Sequence, residues 1–119
     1  MRIPSTLLAL AVILLCAWHS GAQTPSPDPG VNPVRQIDRA EVRVTRVELA
    51  PRAVRSVHIH DDVQFHVFIP ITGGIELTIG SDKPLEAAPG QAYFMLKGTP
   101  HGFRNLGSSP AAVMEVFVK

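Results

Sequence analysis

The sequence predicts an all-β fold, a single small sandwich or barrel that follows an N-terminal signal peptide. Short segments that alternate apolar and polar residues recur from residue 41 to the C-terminus, and this alternation is typical of half-buried strands. Turns rich in glycine and proline separate the segments, as in sandwiches and barrels. Apart from one short turn near residues 34–40, nothing after the N-terminal apolar run shows a helical period of 3.6 residues. A chain of 119 residues allows one domain.

Residues 1–22 have the organisation of a signal peptide that is removed on export. Met1-Arg2 supplies a positive start, Leu7 to Trp18 is a nearly unbroken apolar run, and Ser20-Gly21-Ala22 supplies the small residues that a signal peptidase reads. A spanning helix needs about 20 apolar residues, and this run is clearly shorter. We therefore expect an exported protein, periplasmic or secreted, with no stable membrane anchor; an uncleaved anchor is the alternative.

Cleavage before Gln23 changes the chemistry that is available to the chain. It removes Cys16, the one cysteine of the sequence, so the mature protein has neither a disulfide nor a thiol nucleophile. The whole chain has 11 Lys and Arg and 10 Asp and Glu. Loss of Arg2 leaves these charges balanced, and nothing then indicates a nucleic-acid partner or a polybasic membrane patch.

A Pro-rich linker is predicted for residues 23–38, before a folded domain at residues 39–119. The segment from Gln23 to Val34 contains four prolines together with Ser, Asp, Gly and Asn. Such a composition cannot bury a core, and it is typical of linkers.

The predicted strands follow one another at short intervals along the domain. Alternation marks residues 42–49, 56–60 and 75–79, whereas β-branched and aromatic residues mark 65–71. Two further strands are predicted at 92–96 and 113–118. Gly73-Gly74, Gly80-Ser81-Asp82 and Ala88-Pro89-Gly90 form turns between them, and Gly90 and Gly98 are expected to need a positive φ.

Four histidines remain in the mature chain, and they form a candidate metal site. Residues two apart in a strand point to one face, so His58 and His60 present two imidazoles side by side. His66 begins the next strand, and a turn containing glycine and proline brings His101 in from a distant part of the chain. Imidazole suits Zn, Cu, Fe and Ni. Alone, however, an HxH pair is weak evidence, because most strand histidines are ordinary surface or core residues.

The segment around His101 resembles the second motif of the cupin family, G-x5-PxG-x2-H-x3-N. Here the motif is matched by Gly90, Gly98, His101 and Asn105 at every spacing, with Leu96 in place of the proline. Asn105 is expected to be a structural hydrogen-bonding residue at a strand end. The histidine is the metal-binding position that this resemblance implies.

The first cupin motif, G-x5-HxH-x3/4-E-x6-G, is matched less completely. His58 and His60 supply its HxH pair, and counting back from Gly73 places His66 where the family has glutamate, after a longer loop. Gln64 lies at the shorter family spacing and is the alternative ligand. The opening glycine is absent, and loss of the glutamate leaves no evident protein base in the motifs.

The resemblance covers residues 42–118 and implies a single-domain cupin, a jelly-roll-like β-barrel. It implies one divalent transition-metal ion (Fe, Mn, Zn, Ni or Cu) held by His58, His60, His66 and His101. The expected function is action on, or binding of, a small molecule outside the cytoplasm. A dioxygenase of an enolic or phenolic substrate is the first enzymatic expectation, and an isomerase or cyclase is the second. A non-catalytic module that holds a small ligand or the metal is the alternative.

A homodimer is also expected, since dimers are common in the resembled family and the domain is small for a one-core fold. The alternating strands at residues 41–49 or 111–117 would then extend the sheet of a second copy and cover an exposed edge.

Overall fold

The computed structural model describes residues 28–119, and the predicted signal peptide lies outside the described residues. This part of the chain folds into nine strands without a helix: β1 (Val31–Asp38), β2 (Val42–Leu49), β3 (Val54–His58), β4 (Phe65–Pro70), β5 (Ile75–Ile79), β6 (Leu85–Ala87), β7 (Tyr93–Leu96), β8 (His101–Asn105) and β9 (Ala111–Val118). The all-β prediction is therefore confirmed. Over the same residues, no helix has the length and apolar character needed to cross a membrane.

Two antiparallel sheets enclose the core. One has five strands in the order β1-β2-β9-β4-β7, and the other has four in the order β3-β8-β5-β6. Alternate residues of each strand face the interior, where Phe68 of β4 contacts Phe103 of β8 across the two sheets at a ring-centroid distance of 5.0 Å. Leu77 and Val113, from opposite sheets, are fully buried in the same core.

Strand β1 corrects the predicted domain boundary. Residues 31–38 were assigned to the Pro-rich linker, with a turn near 34–40, but they pair with β2 from Val31↔Leu49 to Asp38↔Arg43. Val31 is buried beside Leu49. A proline is tolerated in β1 because this strand lies at the edge of its sheet, where a missing amide hydrogen disrupts little pairing.

Asp28 ties the start of the described chain to strand β3. Its carboxylate accepts hydrogen bonds from the backbone N–H of Ser56 at 3.0 Å and from the Ser56 hydroxyl at 2.6 Å. The Arg55 guanidinium donates to the same carboxylate at 3.0 Å. These bonds hold the pKa of Asp28 below its ordinary value, chiefly through the Ser56 hydroxyl.

The strands expected to extend a second copy's sheet are interior strands. β2 pairs with β1 and β9, and β9 pairs with β2 and β4, so both sides of each strand are already hydrogen-bonded. Each of them is eight residues long with alternate buried positions. The edges are β1 and β7 in one sheet and β3 and β6 in the other.

Candidate metal centre

Four imidazole rings converge between the two sheets at one end of the barrel. The ring centroid of His58 lies 4.3 Å from that of His101 and 4.9 Å from that of His60. The His66 ring lies 4.6 Å from that of His101 and 5.3 Å from that of His60. The structure thus brings together all four histidines that were selected from the sequence.

Strand pairing places three of these rings, and a loop places the fourth. His58 and His101 face each other in the β3–β8 ladder, and His66 begins β4. The predicted strand at 56–60 is too long at its end, because β3 stops at His58 and His60 lies in the following loop. The carbonyl of His60 accepts a hydrogen bond from the Gly98 N–H at 3.0 Å, which holds this loop against the β7–β8 turn. Gly98 has a φ of 74°, as predicted.

A bulge in β3 orients His58, and it requires a glycine on the partner strand. The pairing register of β3 with β8 shifts between Arg55 and His58, so the extra residue bends β3. A Cβ atom on Gly102 would lie 2.9 Å from the Arg55 carbonyl oxygen and 3.1 Å from the Val57 nitrogen. Both atoms belong to the backbone, so only glycine lets the bulge approach β8 this closely.

Backbone carbonyls set the tautomer of two histidines. Nδ1 of His58 lies 2.8 Å from the Ser56 carbonyl oxygen, and Nδ1 of His101 lies 2.9 Å from that of Thr99. A carbonyl oxygen only accepts, so Nδ1 must carry the proton in each ring. Each Nε2 is therefore left with a free lone pair, the arrangement found in metal-binding histidines.

Glu115 of β9 is a member of the cluster that was not predicted from the sequence. Its side chain is buried, and Oε1 lies 3.8 Å from His101 Nε2 and 3.9 Å from His66 Nε2. One ligand atom each from His58, His60, His101 and Glu115 lie within 4.8 Å of one another. A carboxylate is thus present after all, supplied by the last strand and not by the first motif. Glu115 is the one charged residue within the apolar strand β9, and it occupies an inward position between Val113 and Phe117.

The cluster contains buried polar atoms that the protein itself does not satisfy. Nε2 of His60, His66 and His101 and Oε1 of Glu115 have no hydrogen-bond partner within residues 28–119. A buried polar group left in this state costs about 1–3 kcal/mol. Three or more imidazole nitrogens with one carboxylate oxygen form a donor set that suits a divalent transition metal, so these residues fit the ion that the fold implies.

Burial favours the neutral form of His58, His60 and His66. It lowers the pKa of His60 to about 4, and the neighbouring rings of His58 and His101 act in the same direction. Burial also lowers the pKa of His66 to about 4, although the charge of Glu115 opposes the shift. The pKa of His58 is lowered for the same main reason. Neutral imidazole is the form that binds a metal.

Gln64, the alternative ligand, lies at the surface. Its side-chain amide donates to the Lys119 carbonyl oxygen at 3.1 Å, and the residue is exposed. Gln64 follows a loop and precedes β4 by one residue, so it does not share the inward position of His66. The geometry therefore favours His66 over Gln64.

Comparisons with known proteins agree with this architecture. The sequence profile of the cupin domain family matches residues 45–117. The chain is similar to the β-alanine degradation protein BauB of Pseudomonas aeruginosa, with 33% identity over 93 residues that cover 76% of this chain and 96% of that protein.

Solved structures show the same similarity. A cupin domain from Bordetella pertussis Tohama I is 26% identical with a TM-score of 0.65, covering 76% of this chain and 95% of that one. A protein of Thermus thermophilus is 26% identical with a TM-score of 0.66, covering 74% of this chain and 82% of that one.

Proposed function

Since this chain belongs to the cupin domain family, we propose that it binds one divalent transition-metal ion inside the barrel. His58, His60 and His101 would hold the ion through Nε2, together with a carboxylate oxygen of Glu115, and His66 would be a fifth donor. The observation that supports this proposal is the set of buried nitrogen and oxygen atoms without partners among the described residues. The donor set admits Fe, Mn, Zn, Ni or Cu.

We propose that the site acts on a small molecule. A bound divalent ion would supply Lewis-acid polarisation of a substrate oxygen, or an open position for O2. The chain itself supplies a buried carboxylate, Glu115, that can accept or return a proton. The relative BauB is named for the degradation of β-alanine, and we propose a substrate of similarly small size here.

We propose two reaction classes, a dioxygenase and an isomerase or cyclase, and one feature of the cluster supports each. A dioxygenase of an enolic or phenolic substrate needs a metal site rich in imidazole, which this cluster supplies. An isomerase or cyclase needs a protein base, and the buried carboxylate of Glu115 offers a second oxygen besides the one that would hold the ion. A non-catalytic module that holds the ligand or the metal is the alternative.

Metal analysis followed by an activity screen tests the proposal. The purified protein is assayed for metal content, then for O2 uptake with enolic and phenolic compounds, and for O2-independent isomerisation of the same compounds. We expect one ion per chain, and its loss in His58→Ala and His101→Ala variants, with Gln64→Ala as the unaffected control. Absence of any metal at every stage would overturn the proposal, whereas one ion per chain without turnover would favour the non-catalytic module.

We propose that the protein acts outside the cytoplasm, because residues 1–22 have the pattern of a cleaved signal peptide. N-terminal sequencing of the protein recovered from the cell envelope and the medium tests this location. A chain that begins at Gln23 is the expected result, and an intact Met1 would contradict it.

We also propose a homodimer formed by the outer face of the five-stranded sheet. Val67 lies beside Val116 and Phe94 on this face, and Phe94 and Leu96 are 58% and 63% exposed. Five strands at about 4.8 Å spacing give a face of roughly 500 Å² per copy, about 1,000 Å² in a pair, the lower bound for a specific interface. Light scattering that shows a stable monomer at high micromolar concentration would refute this association, and Phe94→Glu should weaken it.

A further inference from the structure

Arg43 places a positive charge inside the barrel, beside the histidine cluster. On β2 it pairs with Phe117 of β9, and Phe117 pairs in turn with His66 of β4. These three residues therefore form one row on the inner face of the sheet. The side chain of Arg43 is only 15% exposed. A guanidinium at such a position is unusual, because strand positions that face a core are normally apolar.

The Phe117 ring connects Arg43 to the cluster. The guanidinium carbon lies 4.5 Å from the centroid of this ring, and the same ring centroid lies 4.7 Å from that of His60 and 5.1 Å from that of His66. The guanidinium carbon is thus within about 9 Å of the His60 ring centroid. The contacts at the guanidinium and at the cluster take up part of this distance, so an acid with a short carbon chain, at about 1.5 Å per bond, bridges the remainder.

Asp62 supplies the anion that Arg43 now binds. Its Oδ2 accepts from Arg43 Nη1 at 2.8 Å, and the Asp62 side chain is 60% exposed in the loop between β3 and β4. The pKa of Asp62 is lowered, chiefly by this hydrogen bond. Because the Asp62 side chain is 60% exposed, it can turn to solvent while an external carboxylate takes its place on the guanidinium.

We propose that Arg43 binds the carboxylate of a small organic acid, whose other end lies at the His and Glu115 cluster. This inference rests on the proposed function of the site, and it names the substrate class. The planar guanidinium offers two parallel N–H donors that match a carboxylate. Asp62 occupies the carboxylate position when no acid is bound, and it moves aside when an acid enters.

A purely structural role for the pair makes a different prediction. If Arg43 and Asp62 only fasten the β3–β4 loop to β2, then removing either partner has the same effect on ligand binding. If Asp62 competes with the substrate, then the two variants act in opposite directions. Asp62→Asn frees the guanidinium and tightens acid binding, whereas Arg43→Gln removes the guanidinium donors and weakens acid binding.

The test is an NMR titration of the full-length purified protein with propanoate, and with propanamide as its neutral match. The titration is run on metal-free protein and on protein loaded with Zn²⁺. We expect the wild type to prefer propanoate, Arg43→Gln to lose roughly 10-fold or more in propanoate affinity, and Asp62→Asn to gain several-fold. Arg43→Lys, which keeps the charge but not the paired donors, is expected to be intermediate. Arg46→Gln, on the same strand with a more exposed side chain, is the control and should match the wild type.

An equal loss in Arg43→Gln and Asp62→Asn would overturn the inference, as would a wild type that does not prefer propanoate over propanamide. Thermal unfolding of each variant checks that the fold is intact, and the Arg43→Lys variant carries the test if Arg43→Gln does not fold. Metal content is measured on the same samples. If the protein binds one ion per chain but does not prefer the acid, this inference alone is wrong. If it prefers the acid but binds no metal, the proposed metal function alone is wrong.

Discussion

Replacing Glu115 by glutamine is expected to change metal-free stability and metal affinity in opposite directions. The side chain is buried, and its Oε1 has no hydrogen-bond partner in the described part of the chain. Both nearby histidine nitrogens, of His66 and His101, lie too far away for a hydrogen bond, at 3.9 and 3.8 Å. A buried carboxylate with an unpartnered oxygen is costlier than a neutral amide of the same shape. The metal-free variant should therefore be more stable than the wild type by about 1–3 kcal/mol.

The metal-bound state should respond in the other direction. Loss of a residue that only supports a ligand already weakens metal affinity by about 10- to 100-fold. Glu115 would bind the ion directly, so its replacement is expected to weaken the affinity for Zn²⁺ by about 100-fold. At saturating ion, this factor removes about 2.8 kcal/mol of the stabilisation by metal. For a domain of this size, 1 kcal/mol corresponds to roughly 4–8 °C in Tm. The Zn²⁺-dependent rise in Tm should thus shrink by about 11–22 °C.

Thermal unfolding, with and without Zn²⁺, measures both effects in one assay. Glu48→Gln is the matched control, because Glu48 is an exposed glutamate on neighbouring strand β2, and its change should stay within about 0.5 kcal/mol. An unchanged rise in Tm for Glu115→Gln would remove Glu115 from the ligand set. A metal-free variant less stable than the wild type would show that the carboxylate has a stabilising partner in the metal-free fold.

Three further predictions concern the histidines and the bulge. Metal-free protein should lose stability as the pH falls from about 6.5 towards 4, because the unfolded chain binds the protons that folded His60 and His66 resist. His66 contributes at most about 1.4 kcal/mol per pH unit to this slope, so chemical denaturation of His66→Gln should show a slope smaller by up to that amount. His66→Ala should weaken Zn²⁺ binding in a competition titration with a chelator, and equal affinity would limit the ligand set to His58, His60, His101 and Glu115. Gly102→Ala should destabilise the fold by about 1–3 kcal/mol in denaturant unfolding and reduce metal content, since its Cβ meets the β3 backbone; a stability equal to the wild type would mean that the bulge adjusts freely.

The low pKa values also change the expected pH of metal release. An unperturbed imidazole would begin to lose its metal to protons near its ordinary pKa of about 6.5. In this site, burial lowers the pKa of His60 and His66 to about 4, so protons compete effectively only at a lower pH.

Sequence patterns located the histidines because the motif spacings depend on turns that local chemistry determines. Gly98, with its positive φ, directs His101 towards His58. The sequence predicts a turn at such a glycine. Glu115 was not found because its significance depends on which face of β9 turns inward beside distant strands. A single carboxylate in an apolar strand signals burial only once the pairing with β2 and β4 is known.

Strand boundaries were predicted less well where pairing outweighs composition. β1 has the residues of a linker, and it becomes a strand because β2 offers it a complete pairing edge. β6 has only three residues, too few for alternation to be recognised. His60 was placed on a strand, yet a loop held by the Gly98 N–H brings its ring to the same place. Tertiary contacts decided each of these cases.

The hydrogen bonds between Asp28 and Ser56 limit how far the N-terminus can be truncated without disturbing the histidine cluster. Ser56 receives support from Asp28 through its N–H and hydroxyl, and its carbonyl in turn accepts the Nδ1 proton of His58. A recombinant protein that begins at residue 39 would keep every histidine of the cluster but lose these hydrogen bonds from Asp28. It would also lose β1, which leaves the edge of β2 unpaired. The residues before β2, which have the composition of a linker, therefore help to orient the imidazole of His58.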